Sequence, residues 1–127
     1  ELKTKILKTA AIYKKESKVY MVAQNRLDAT DYDNLISQLK NHIQSNHKVY
    51  WYIEMENFEG WTASAYWKGI ELKLPNEERV KKVALVGITK WQEQFTEVLI
   101  PFTKAHIKFF SPEEKHLAKE WMEKGNH

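Results

Sequence analysis

A single α/β domain built on a mainly parallel sheet is the fold class the sequence predicts. Three observations predict it. Strand-like and helix-like segments alternate along the chain, two short apolar runs have the composition of strands covered on both faces, and no linker or repeat interrupts the alternation. The expected order is strand, strand, helix, strand, helix, strand, helix, strand, helix. Alternation of this kind implies right-handed crossovers, so a five-stranded mixed sheet with four helices is expected, its first strand an antiparallel edge.

The opening residues give two β-rich runs, Ile6 to Tyr13 and Val19 to Gln24, separated by the polar Lys14-Lys15-Glu16-Ser17 in the pattern of a hairpin. Thr30 then stands where a helix cap is expected. After it Tyr32, Leu35, Ile36, Leu39 and Ile43 recur every three to four residues and share one helical face, with Asp31 and Asp33 in a first turn that favours acids. Val49-Tyr50-Trp51-Tyr52-Ile53 is unbroken in β-branched and aromatic residues and reads as an interior strand. Thr62 begins a second helix, with Ala65, Gly69 and Leu72 on one side and Tyr66 and Ile70 beside them, and Pro75 stops it.

Val83-Ala84-Leu85-Val86 is the next buried strand, and Gly87 follows where the chain must turn. Thr89 and Gln92 make a capping box for a third helix striped by Trp91, Phe95, Val98, Leu99 and Phe102, with Pro101 disturbing its last turn. Ile107, Phe109 and Phe110 form a last short strand. Ser111-Pro112-Glu113-Glu114 then combines a cap, a proline at the first helical position and a capping Glu, before a final helix that buries Leu117, Ala118, Trp121 and Met122.

At 127 residues the chain is the size of one domain, and residues 1–127 are expected to share one fold. Hydrophobic residues make up 43%, too many for a disordered chain. The absence of cysteine excludes disulfides, thiolate metal sites and a cysteine nucleophile, and makes a cytoplasmic location the expectation. No apolar run reaches the ~20 residues of a membrane span, and no signal-peptide pattern opens the sequence.

The net charge of +3 is concentrated at one end: residues 1–20 hold six Lys against Glu1 and Glu16, and the remainder has fourteen basic and fifteen acidic residues. Arg26 and Arg79 are the only arginines, and no basic stripe interleaves with aromatics, so no nucleic-acid partner is expected.

Reactive chemistry finds little support in the residue pattern. His42 and His47 are five apart, which on a helix points them in different directions, and His106, His116 and His127 add no ligand spacing, so no metal is expected. None of the serines has the Gly neighbours of a nucleophile elbow. Gly60, Gly69, Gly87 and Gly125 are too scattered for a phosphate loop or a dinucleotide fingerprint, and no cofactor is expected. Glu54, Glu56 and Glu59 cluster where an α/β sheet usually places its ligand crevice. Glu54 and Glu56 would share one side of a strand, so that one of them, if both were buried, would hold its proton; the alternative is a solvated acidic loop.

At Phe58-Glu59-Gly60-Trp61-Thr62, then Ala65 and Trp67, Val83-Ala84-Leu85-Val86-Gly87, Trp91, Pro101-Phe102-Thr103 and Phe109-Phe110, the chain resembles the SpoIIAA-like family of small bacterial proteins. The resemblance covers nearly the whole chain and implies a STAS-like βα superhelix, grouped with the lipid-carrying CRAL-TRIO domains. It places the Phe58–Thr62 cluster directly after the third strand and Trp91 just after the fourth. Members often follow the fourth strand with Gly-Asp, whereas Gly87-Ile88-Thr89-Lys90 lacks that acid here. In the phosphorylatable STAS switches a Ser accepts phosphate after the third strand. The corresponding Glu56-Asn57-Phe58-Glu59-Gly60 has no hydroxyl, and Thr62 downstream reads as a helix cap.

The unusual feature is sixteen aromatic residues, many gathered in two consecutive helical segments and their entrances. Tyr66 and Trp67 are adjacent on a helix, so both cannot face the sheet. The expectation is a non-enzymatic binding or regulatory module. Phe58, Trp61, Tyr66, Trp67, Trp91 and Phe102 would wall a cleft for a small hydrophobic or lipid-like ligand, and Glu59 would meet its polar end. Ordinary core packing is the competing account of the same rings. A homodimer or a regulatory protein partner docking on exposed aromatics is the alternative function, as the STAS resemblance implies, and an enzyme of unrecognised type comes third.

Overall fold

The computed structural model describes residues 3–6, 10–15, 17–70, 72–98 and 104–124. Strand β1 (Lys3–Ile6) pairs antiparallel with β2 (Ala10–Lys15), and β2 pairs antiparallel with β3 (Lys18–Leu27). From β3 onward every pairing is parallel, through β4 (Val49–Trp61), β5 (Val80–Val86) and β6 (His106–Phe110), and the six strands lie in sequence order. This corrects the expected five-stranded sheet with a single antiparallel edge strand: the described residues form six strands, and two strands, β1 and β2, make up the antiparallel edge. Four parallel strands form the body, and the run Ile6 to Tyr13, expected as one strand, is divided between β1 and β2. That run contains no Gly, Pro, Asn or Asp, so nothing in its composition marks the division.

Sequential parallel order dictates where the helices go. Each of α1 (Ala29–Ser45), α2 (Ala63–Ile70) and α3 (Thr89–Val98) links a strand to its next neighbour, and crossovers of one hand place all three on the same face. Leu35, Leu39 and Ile43 of α1, Ala65 of α2 and Trp91 of α3 accordingly pack with Trp51, Ile53 and Met55 of β4 and Val83 and Leu85 of β5. Helix α4 (Lys115–Glu123) follows the last strand and lies on the other face. There Ala118 and Met122 are buried with Tyr50, Tyr52, Ala84, Val86 and Phe110. Alternation along β4 thus feeds two cores, one on each side of the sheet.

The start of α1 differs from expectation. Asp28, not Thr30, caps α1: its Oδ1 accepts from Asp31 N at 2.8 Å while Asp31 Oδ2 accepts from Asp28 N at 3.1 Å. The Ser111–Glu114 box forms as the pattern implies, with Glu114 Oε1 accepting from Ser111 N at 3.0 Å, around a 3-10 turn that precedes α4. Leu117, expected in the buried face of α4, is exposed. Ala118 and Met122, four apart, occupy the sheet-facing arc, and Leu117 lies about 100° of helix rotation from Ala118. Leu99, Pro101 and Phe102, and the side chains of Gln92, Phe95 and Val98, lie outside the described residues.

The greatest departure is the length of β4, which runs on past Ile53 to Trp61. Asn25 on β3 (φ 57°) and Asn57 on β4 (φ 51°) take left-handed backbone where the β3–β4 register shifts. Asn tolerates that conformation better than most residues, so the two strands bend together and remain paired. β4 meets β5 only as far as Glu54↔Val86, and residues 55–61 therefore overhang the end of β5.

Candidate cleft at the carboxyl ends of the strands

The overhang creates a recess. Met55, Glu56, Asn57 and Phe58 of β4 form one wall, Ile88 from the β5–α3 turn and Trp91 from the first turn of α3 form another, and Pro112 from the turn after β6 completes a half-open cleft of about 370 Å³. Because the strands run in sequence order, the sheet has no reversal of strand order, the usual place for a crevice in open α/β folds. Here a strand longer than its neighbour serves instead.

Edge-to-face packing builds the aromatic wall. Phe58 is buried and meets two indoles edge to face, Trp61 at 5.6 Å and Trp91 at 5.2 Å between centroids. Gly60 makes this possible: its φ of +102° suits glycine alone, and a Cβ there would stand 3.0 Å from Trp91 Cη2. Gly87 is packed closer still, since a Cβ on it would meet Met55 Cε, the end of a flexible side chain, at 2.4 Å. Ile88 is 53% exposed beside them.

The expected site residues are thus distributed over several places. Phe58 and Trp91 line the cleft, and Trp61 touches Phe58 from behind it. The Phe58–Trp61 stretch, expected after its strand, is the end of β4 itself. Glu59 is exposed and does not line the cleft; Glu56 does. Tyr66 and Trp67 lie on α2, where the Tyr66 hydroxyl donates to Glu97 and the Trp67 ring, 58% exposed, stands 6.2 Å from Tyr66. Phe102 lies outside the described residues. Thr62 is a cap, its Oγ1 accepting from Ala65 N at 3.2 Å. Met55, Ile88 and Pro112 were not anticipated: Met55 and Ile88 carry no motif, and Pro112 reads simply as a helix start.

Next to the cleft lies the one buried carboxylate whose chemistry invites attention. Glu54 Oε1 accepts from the buried Tyr52 hydroxyl at 2.8 Å, and Glu54 Oε2 pairs with Lys115 Nζ at 2.9 Å. Burial pushes the Glu54 pKa up, but the Lys115 and Tyr52 hydrogen bonds outweigh it and hold the carboxyl below its ordinary value. Burial first, and Glu54 second, push the Tyr52 phenol upward. Glu54 is therefore ionised and Tyr52 protonated at neutral pH. Glu56 is exposed, so the two carboxylates are not both buried. The pair ties the start of α4 to β4. Among the described residues no group of three or more His, Asp and Glu could hold a metal, and no helix is long and apolar enough to cross a membrane.

Parallel strands in sequence order, three helices on one face and one on the other define this as a small α/β domain. The SpoIIAA-like family model matches residues 19–123, and the chain belongs to the SpoIIAA-like family. Strands β1 and β2 fall before the matched region. The chain is similar to an uncharacterized protein of the DUF3478 family with a SpoIIAA-like fold from Shewanella loihica PV-4, known from its crystal structure. The two are 26% identical, with a TM-score of 0.66 over 93% of this chain and 97% of that one. No curated protein matches the chain.

Proposed function

We propose that the chain is a non-enzymatic binding module whose ligand, a small and mostly apolar molecule, sits in the cleft between the β4 overhang and the turns after β5 and β6. The observation that carries this reading is the exposed Ile88, which lines a recess of about 370 Å³ together with Phe58 and Trp91. That volume is at the small end of the range of roughly 300–1,000 Å³ that holds small molecules. Apolar surface left open beside the aromatic wall loses contact with water when a ligand enters, which favours binding at about 25 cal/mol for each Å² covered.

Tryptophan fluorescence tests it with a neutral probe, 1-octanol. Trp91 is part of the wall, so its emission should shift and saturate. Ile88→Asp, a change at an exposed position, should abolish the saturation while leaving thermal unfolding nearly unaltered. A response that only drifts linearly with octanol would end the reading. A second reading, docking of a second copy or a regulatory protein on α2, is favoured by Trp67, the most exposed large apolar side chain among the described residues.

A further inference from the structure

We infer that the cleft is selective for a cationic head group, so that its ligand is an amine or quaternary ammonium carrying a short alkyl chain; this rests on the cleft being a binding site, as proposed above. The charges around the recess carry the inference. Glu56 is the one ionisable residue in its lining. One carboxylate oxygen of Glu56, Oε1, accepts from Gln24 Nε2 at 2.8 Å, which anchors the side chain through β3. The Glu54 carboxylate and its Lys115 partner lie close to Glu56 on the same side of β4.

The neighbouring lysines do not reverse this balance. Lys115 is engaged with Glu54 at 2.9 Å. Lys90 lies with its Nζ 4.9 Å from the centre of the Trp91 ring, so the indole that walls the cleft already attracts a cation from the chain itself. A fatty-acid carboxylate lodged against Phe58 and Trp91 would bring its charge towards Glu56, a like-charge contact that disfavours binding. An ammonium head in the same position would meet the Glu56 carboxylate and could sit over the face of an aromatic ring, both attractive. Overall charge works the other way, since a chain of net charge +3 attracts anions at long range. Any preference for the cation must therefore arise at the cleft.

The experiment compares three probes of equal chain length, octyltrimethylammonium, 1-octanol and octanoate, by isothermal titration calorimetry at low ionic strength and below their micellar concentrations. Wild-type protein should bind octyltrimethylammonium more tightly than octanoate by roughly threefold to tenfold, the scale of a partly exposed charge and cation–ring contact. Glu56→Gln keeps an oxygen to accept from Gln24 and should bring the ratio of octyltrimethylammonium to octanoate affinity close to one. Lys90→Gln, which removes the competing cation, should tighten octyltrimethylammonium. Octanoate binding as tightly as the cation, or a preference that survives Glu56→Gln, would overturn the charge selectivity and leave the cleft standing. Absence of saturable binding by all three probes would overturn the cleft as well.

Discussion

Gly60 shows how one residue shapes the cleft. Its backbone lies at φ +102°, and the hydrogen it carries in place of a side chain faces the Trp91 ring. In Gly60→Ala a methyl group would be forced to within 3.0 Å of the indole from a backbone conformation that alanine resists. A loss of about 1–3 kcal/mol is expected in urea unfolding, with a change in Trp emission because Trp91 must shift. Phe58 depends on the same arrangement, since its edge contacts with Trp61 and Trp91 require both indoles in place.

Glu54 makes a pH-dependent contribution of definite sign. Its folded-state pKa lies below the unfolded value of roughly 4.3, so its stabilisation is complete above that pH and is lost as pH falls through the lower folded value. Lys115, whose pKa is raised chiefly by the hydrogen bond to Glu54, contributes stability that persists until pH rises past the ordinary lysine range. Urea midpoints measured from pH 7 to pH 3 should fall more steeply for wild type than for Glu54→Gln, which has no charge to lose. Parallel curves for the two proteins would mean that Lys115 contributes nothing through this pair.

Among the elements, α1 shows how a strand decides where a helix begins. Leu27 is still paired with Trp61, and its carbonyl accepts from Thr62 N at 2.8 Å, so Asp28 is the first residue that can leave the sheet and cap the helix. Asp28→Ala should cost about 1 kcal/mol in thermal or chemical unfolding, and Thr30→Ala a few tenths at most, because Thr30 is exposed inside the first turn. The composition of this stretch offers both residues as caps. Only the end of the β3–β4 ladder separates them. β4 carries the same lesson further, since Asn57 and Glu59 argue for a loop by propensity, yet pairing to β3 keeps the segment extended as far as Trp61.

At the scale of the whole molecule the two faces of the sheet are unequally covered, with three helices against one, and α2 presents Trp67 outward. If the cleft is the functional surface, light scattering should give the same mass for wild type and Trp67→Ala. A dimer that this substitution dissociates would move the function to α2. Such a contact would need Trp67 as a central anchor, the role that exposed tryptophans fill at interfaces.

The periodicity of the chain determined its class. Buried strands such as Val83–Val86, the α1 face from Tyr32 to Ile43, the Ser111–Glu114 cap and the family resemblance are local patterns, and each is set by residues close together in sequence. The number of strands, the reach of β4 and the membership of the cleft were decided by pairings between distant segments. Met55, Ile88 and Pro112 have nothing in common until β4 overruns β5 and the two following turns close beside it. Glu54 likewise depended on Tyr52 and Lys115 to settle its charge. A hydrophobic pattern specifies which face of an element is buried, whereas the neighbour that buries it is chosen by register, and register is a property of the assembled sheet.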